Sequence, residues 1–176
     1  MEILKRDEAI PASYPAVPSG LSVAAAALDG DMIWQRIEAY TAHRFTDRQV
    51  IWTVEGPGEW WPDLTPATIT AAEIWRDDAW TADTLKAGPL GGYVLDGTGP
   101  YRITANVGGG AVPAAINEAF RRLAEYMAEE VERQGAGQYS VTIGQITETF
   151  TRNPGWQARG MQLSGAGDLL RPYRRA

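Results

Sequence analysis

Proton-transfer and metal chemistry begin with histidine, cysteine and closely spaced carboxylates, and this sequence is sparing with all three. It has one histidine, His43, and no cysteine. A lone imidazole offers neither a metal pair nor a second base for a relay. Without thiols there is no disulfide, no thiolate nucleophile and no Cys-ligated zinc or iron–sulfur centre. Carboxylates fall side by side at Asp77-Asp78 and Glu129-Glu130, and such pairs run acid–base chemistry when burial drives their pKa values apart. The first pair lies in an expected turn before Trp80 and the second straddles the solvated edge of an expected helix, so both read as surface charge. No serine sits in a G-x-S-x-G elbow. Gly108-Gly109-Gly110 runs into Ala111-Val112-Pro113 rather than a phosphate-binding lysine, and reads as a strand-to-helix hinge. No catalytic residue, metal site or cofactor is expected.

Tryptophan is the remaining residue type with a chemistry of its own. Trp52, Trp60, Trp61, Trp75 and Trp80 could form a stacking platform for a sugar or a base, yet strands place aromatic rings in cores and protein interfaces at least as readily. Three readings stand at this point: a structural interaction protein, a small carbohydrate- or ligand-binding β module, and a hydrolase built on the Asp77-Asp78 carboxylates.

The elements that must position these residues follow from periodicity. Residues 1–20 carry Pro11, Pro15 and Pro18 and read as an irregular or extended arm that packs on something else. Between Ser22 and Phe45, Val23, Ala26, Ala27, Ile33, Ile37 and Tyr40 recur at helical spacing, split at Asp29-Gly30-Asp31 with Asp31 as the second N-cap. From Gln49 to Val107 short β-branched and aromatic runs bounded by Gly, Pro and Asp predict an antiparallel β region. The Pro- and Gly-rich stretch 56–66 reads as a loop bearing Trp60 and Trp61. A helix from Pro113 to Gln134 buries Ile116, Phe120, Leu123 and Met127, with Val131 continuing the face and Gly135 and Gly137 ending it. The stretch YSVTIGQITETFT reads as one more strand or an extended segment, and Ala158–Leu170 as a weak, Gly-interrupted helix.

Composition sets outer bounds. A chain of 176 residues with 44% hydrophobic and 22% charged residues fits one globular domain. Its net charge of −6 and pI near 4.8 argue against a protein whose task is to grip phosphates. No run approaches the roughly 18 apolar residues of a membrane span, and the opening residues lack the apolar core of a signal peptide. The expectation is a chain kept in the cytoplasm or packaged into something assembled there.

The order of these segments resembles the head-tail connector (adaptor) family of long-tailed phages and gene-transfer agents. The likeness is carried by Ile37-Glu38-Ala39-Tyr40-Thr41, by Val112-Pro113 through Leu123-Ala124, and by the closing Ser164-Gly165-Ala166 through Leu169-Leu170 and Pro172-Tyr173-Arg174. Residues 1–30 lack the family's opening helix pattern, Ala42-His43 replace a glycine, and Tyr173 stands for the commoner tryptophan.

The resemblance implies an α+β subunit: a small helical bundle with an inserted antiparallel β-hairpin or sheet region and an extended or helical tail, residues 158–176, that docks on a partner. It implies a homo-oligomeric ring, a dodecamer, in the virion between the portal and a stopper or tail-terminator protein. DNA would pass through its lumen without sequence-specific binding, and no membrane is involved. Portal docking falls to Leu169, Leu170, Arg171, Tyr173, Arg174 and Arg175, on a tail poorly ordered in the isolated subunit. The ring or tail-side interface falls to Trp60, Trp61, Trp75 and Trp80. The core falls to Ile37, Ile116, Phe120, Leu123 and Met127.

Overall fold

Alternation along a strand sends successive side chains to opposite faces, so a run such as Val50-Ile51-Trp52-Thr53-Val54 buries every second residue. The computed structural model describes residues 2–129, 138–143, 146–151 and 158–174. The chain divides into two units: residues up to Pro15 with Thr41–Ala111 and Arg174, and Ala16–Tyr40 with Val112–Tyr173.

The first unit is an antiparallel sheet of β1 (Ile3–Glu8), β2 (Arg48–Trp60), β3 (Ala67–Arg76), β4 (Ala79–Ala82), β5 (Lys86–Ala87) and β6 (Tyr93–Val107), ordered β1-β2-β6-β3-β4 with β5 also on β6. Val50, Trp52 and Val54 of β2 and Tyr101, Ile103, Ala105 and Val107 of β6 are fully buried on its inner face. Asp77 and Asp78 join β3 to β4 with φ of 49° and 59°. Two successive positive φ values are what a two-residue type I′ hairpin requires, and aspartate tolerates them better than most residues.

One expectation is sharpened here and one fails. Within the expected irregular or extended arm, Ile3–Glu8 is an edge strand, which ILKRDE does not announce because its register against β2 is held by backbone bonds and ion pairs rather than by an apolar face. The stretch 56–66 is not all loop. Strand β2 continues to Trp60, because a register shift between Gly56 and Gly58 absorbs Pro57, where no ladder N–H is needed.

The second unit holds α1 (Val23–Ala26), α2 (Gly30–Thr41, its last residue in the first unit), α3 (Ala114–Ala128), a separate β7–β8 hairpin (Gln138–Ile143 and Ile146–Thr151), α4 (Gly160–Leu163) and α5 (Ala166–Leu170), which runs into a single 3-10 turn. Trp34 of α2 meets Phe120 of α3 with ring centroids 5.0 Å apart, and Ile33, Ile37, Ile116 and Leu123 on the same two helices are buried as well. Of the expected core, Met127 is only half-buried, its sulfur 3.6 Å from the Arg36 guanidinium. In α1 the buried residue is Ala25, and Val23 is 91% exposed. Asp29, not Asp31, caps α2: its Oδ1 accepts from the Asp31 and Met32 amides at 3.0 and 3.4 Å.

Helix α3 leaves helical geometry at Glu129 (φ −58°, ψ 120°). Its final turn holds no basic residue, and acidic charge there opposes the helix dipole. The expected continuation to Val131 and Gln134, and the stop at Gly135 and Gly137, lie outside the described residues. The stretch 139–151 is two strands in place of one.

The tail departs most from expectation. It is folded on its own unit, with Ala166 and Leu170 fully buried and α5 against α3. Its glycines are the means: a Cβ on Gly167 would come 2.8 Å from the Met161 carbonyl oxygen and 3.2 Å from the Tyr40 hydroxyl, and Gly165 turns the chain with φ +72°. The overall class is α+β, as expected, with the sheet dominant. Helix propensity alone says that Gly167→Ala should stabilise the chain by about 1 kcal/mol. Packing says that it should destabilise by about 1–3 kcal/mol, and destabilisation is the result expected in urea melts.

Candidate interaction surfaces

Charge on the inner side of the sheet is spent on holding β1. Glu8 accepts from Arg44 through Nε at 2.6 Å and Nη2 at 3.0 Å, and from Arg48 Nη1 at 3.1 Å. The two arginine side chains are 9% and 4% exposed and the glutamate 22%. Burial acts to raise the Glu8 carboxyl, but the hydrogen bonds and charges of Arg44 and Arg48 outweigh it and hold the group below its ordinary value. Arg48 also lies over the Tyr14 ring, 5.7 Å from its centroid. Further along β1, Arg6 pairs with Asp63, which accepts the buried Trp52 indole N–H at 2.7 Å. These contacts are structural, and none of them was evident in the sequence.

The outer face of the same sheet is built differently. Trp75 of β3 stands opposite Trp80 of β4, edge to face with centroids 5.2 Å apart. The Arg102 guanidinium lies 4.6 Å from the Trp80 centroid, and its Nε donates to Glu73 at 2.6 Å. That hydrogen bond, more than the charge of Arg102, lowers the Glu73 carboxyl pKa. Trp75 is 39% exposed. The signal for Arg102 and Glu73 was present in the alternation Glu73-Ile74-Trp75 and Tyr101-Arg102-Ile103, in which one set of residues is inward and the other outward.

Trp60 does not belong to a surface. It is 3% exposed, packed against Trp52 and Tyr93 in the core of the sheet unit. Trp61, 38% exposed, turns outward over Gly91 and Gly92.

Asp77 and Asp78 form an exposed hairpin turn; Glu129 is exposed at the end of α3, and Glu130 lies outside the described residues. His43 is half-buried against Phe45, and burial followed by the Arg44 charge lowers its pKa. Among the described residues no three His, Asp or Glu side chains gather in a way that could hold a metal, and no helix is long and apolar enough to cross a membrane. A shallow groove of about 420 Å³ on the second unit is lined by residues of α3 with Leu163 and Ser164. Of the expected docking residues, Leu170 is buried, Leu169 and Tyr173 are half-buried, Arg171 and Arg174 are exposed, and Arg175 is outside the described residues.

No family model and no curated protein matches this sequence. Solved structures do match. One is a chain in the neck of an empty gene transfer agent particle computed with C6 symmetry: TM-score 0.54 and 16% identity, covering 98% of this chain and 96% of that one. Another is a chain in the virion of a native gene transfer agent particle: TM-score 0.52 and 17% identity, covering 84% of this chain and 75% of that one. The chain shares their fold.

A carboxyl held below its unfolded pKa contributes stability that is complete above about pH 4.5 and is lost as the pH falls through the folded value. Glu8→Gln should therefore lower stability at neutral pH by about 1–3 kcal/mol, less than a fully buried pair because Glu8 keeps partial contact with water. The gap between variant and parent should close as the pH falls below about 4.5 and through the folded value. A gap that stays constant across that range in urea melts would mean that the charge of Glu8 is not what holds β1.

Proposed function

We propose that this chain is a structural subunit of the neck of a tailed particle, assembled as a ring between the portal and a stopper or tail-terminator protein. The observation that carries the reading is the fold shared along nearly the whole of both chains with a neck chain of a gene transfer agent particle. A ring of twelve is proposed, a number compatible with the six-fold symmetry used for that neck. The reading places the chain in the virion, assembled in the host cytoplasm, as a non-enzymatic component that lets DNA pass. A net charge of −6 suits a channel protein that must not retain phosphates.

The proposed ring or tail-side contacts fall to Trp61, Trp75 and Trp80, with Trp60 removed from the set by its burial. The proposed portal contact falls to the outward residues of a folded tail, Leu169, Arg171, Tyr173 and Arg174, together with Arg175. A sugar platform is less well supported, because Trp75 and Trp80 stand edge to face and Arg102 lies over the Trp80 ring.

An antibody against the chain should decorate particles at the head–tail junction in negative stain. Label on the capsid shell, or none on intact or disrupted particles, contradicts the reading. Trp61→Ser should reduce particle yield while leaving the subunit's melt unchanged, whereas Trp60→Ser should cost about 3–5 kcal/mol of stability as a core truncation. Full yield with Trp61→Ser removes that residue from the interface.

A further inference from the structure

The sheet of the first unit has two open edges. In the order β1-β2-β6-β3-β4, among the described elements β1 pairs only with β2 and β4 only with β3. An edge strand turns half of its backbone N–H and C=O groups outward, where another strand can meet them. The two edges are unlike. Strand β1 carries Lys5, Arg6 and Asp7 at exposed positions, with Leu4 51% exposed beside them. Strand β4, Ala79-Trp80-Thr81-Ala82, has neither charge nor proline to keep a partner away, and Ala79, Thr81 and Ala82 are exposed. Acids stand at its ends instead, Asp77 and Asp78 before it and Asp83 after it.

Residue pairing carries rows straight across the sheet. One row runs Ile3, Val54, Tyr101, Ile74, Thr81, and the next runs Lys5, Thr53, Arg102, Glu73, Ala82. The third runs Arg6, Trp52, Ile103, Ala72, and there the Asp83 amide donates to the Ala72 carbonyl at 2.9 Å. The rows that begin at Lys5 and Arg6 on one edge therefore end beside Asp83 on the other. Lys5 pairs with Asp7 and Arg6 with Asp63 in their own chain. Exposed pairs of this kind are worth little, so both cations can serve a second carboxylate. Lys86, which feels the charge of Asp83, is bonded to Asp96.

We propose that β1 of one copy adds to the β4 edge of the next, continuing the sheet from copy to copy with Lys5 and Arg6 beside Asp83. The inference rests on the ring reading and names its lateral interface. Every pair along the path is antiparallel, so β1 and β4, its first and last strands, run the same way. Rotation about an axis along the strands preserves direction, and the two meet as a parallel pair. Because the edges are different, the contact is heterologous, and repeating it about an axis closes a ring. A two-fold pairing of β4 with β4 would run antiparallel and set Asp83 of each copy against Asp77 and Asp78 of the other.

The chain has no cysteine, so introduced pairs report cleanly. Within one chain Lys5 and Ala82 lie four strand spacings apart, about 19 Å, well beyond the roughly 7 Å between Cα atoms that a disulfide spans. Mild oxidation of particles assembled with Lys5→Cys and Ala82→Cys in the same chain should give a ladder of covalent oligomers on a non-reducing gel, and neither single variant should. Complete necks without a ladder overturn the inference and leave the ring reading standing. Lys5→Asp and Asp83→Lys should each lower ring yield about fivefold with the subunit's melt unchanged, and the two together should recover part of it. A double variant no better than the singles overturns the pairing. Absence of the wild-type chain from the neck overturns both the inference and the ring reading.

Discussion

The sheet unit depends on the long antiparallel ladder between β2 and β6. It runs from Arg48 opposite Val107 to Trp60 opposite Tyr93, and every other strand attaches directly or indirectly to it: β1 to β2, β3 and β5 to β6, and β4 through β3. The ladder survives its own interruption because Gly56 and Gly97 allow close approach. A Cβ on Gly56 would stand 2.6 Å from the Gly97 carbonyl oxygen, and one on Gly97 would stand 2.7 Å from the Tyr101 hydroxyl. That hydroxyl, buried, accepts the Gly97 amide at 2.6 Å. A side chain at either glycine would separate the strands where the register shifts, and with them the support for Trp60 and Trp61.

Such a ladder creates two unlike faces. The inner one, containing Trp52, Tyr101 and Ile103, is a closed core. The outer one keeps partly open tryptophans and ion-paired arginine, a composition common at protein interfaces, where aromatic and arginine side chains carry much of the binding energy. The second unit repeats the division on helices: Trp34, Phe120 and Leu123 are sealed, while Leu163 stays 56% exposed. A protein that works by contact needs both, a rigid interior and surfaces left for partners.

Much of this was legible in the sequence wherever burial follows a period. Ile37, Ile116, Phe120 and Leu123 announce their helices by spacing, and the β region by alternation and turns. Strand β1 was hidden because charged residues on an edge strand leave no apolar stripe. The continuation of β2 was hidden because Gly56-Pro57-Gly58 looks like a loop until its partner strand supplies the bulge. In the tail the glycines read as interruptions of a weak helix, whereas Gly167 lies inside α5, where its value is the absence of a side chain at close approach. Trp60 and Trp61 are adjacent and of one type, and only the register decides that one faces the core and the other does not.

The proposed role as a ring-forming neck subunit is tested most directly by a symmetry-averaged cryo-EM reconstruction of the neck in particles carrying this chain. The expected result is density for this fold, repeated around the channel axis in a closed ring, with neighbouring copies in contact. A neck without this fold, or with isolated copies that do not touch, would contradict it.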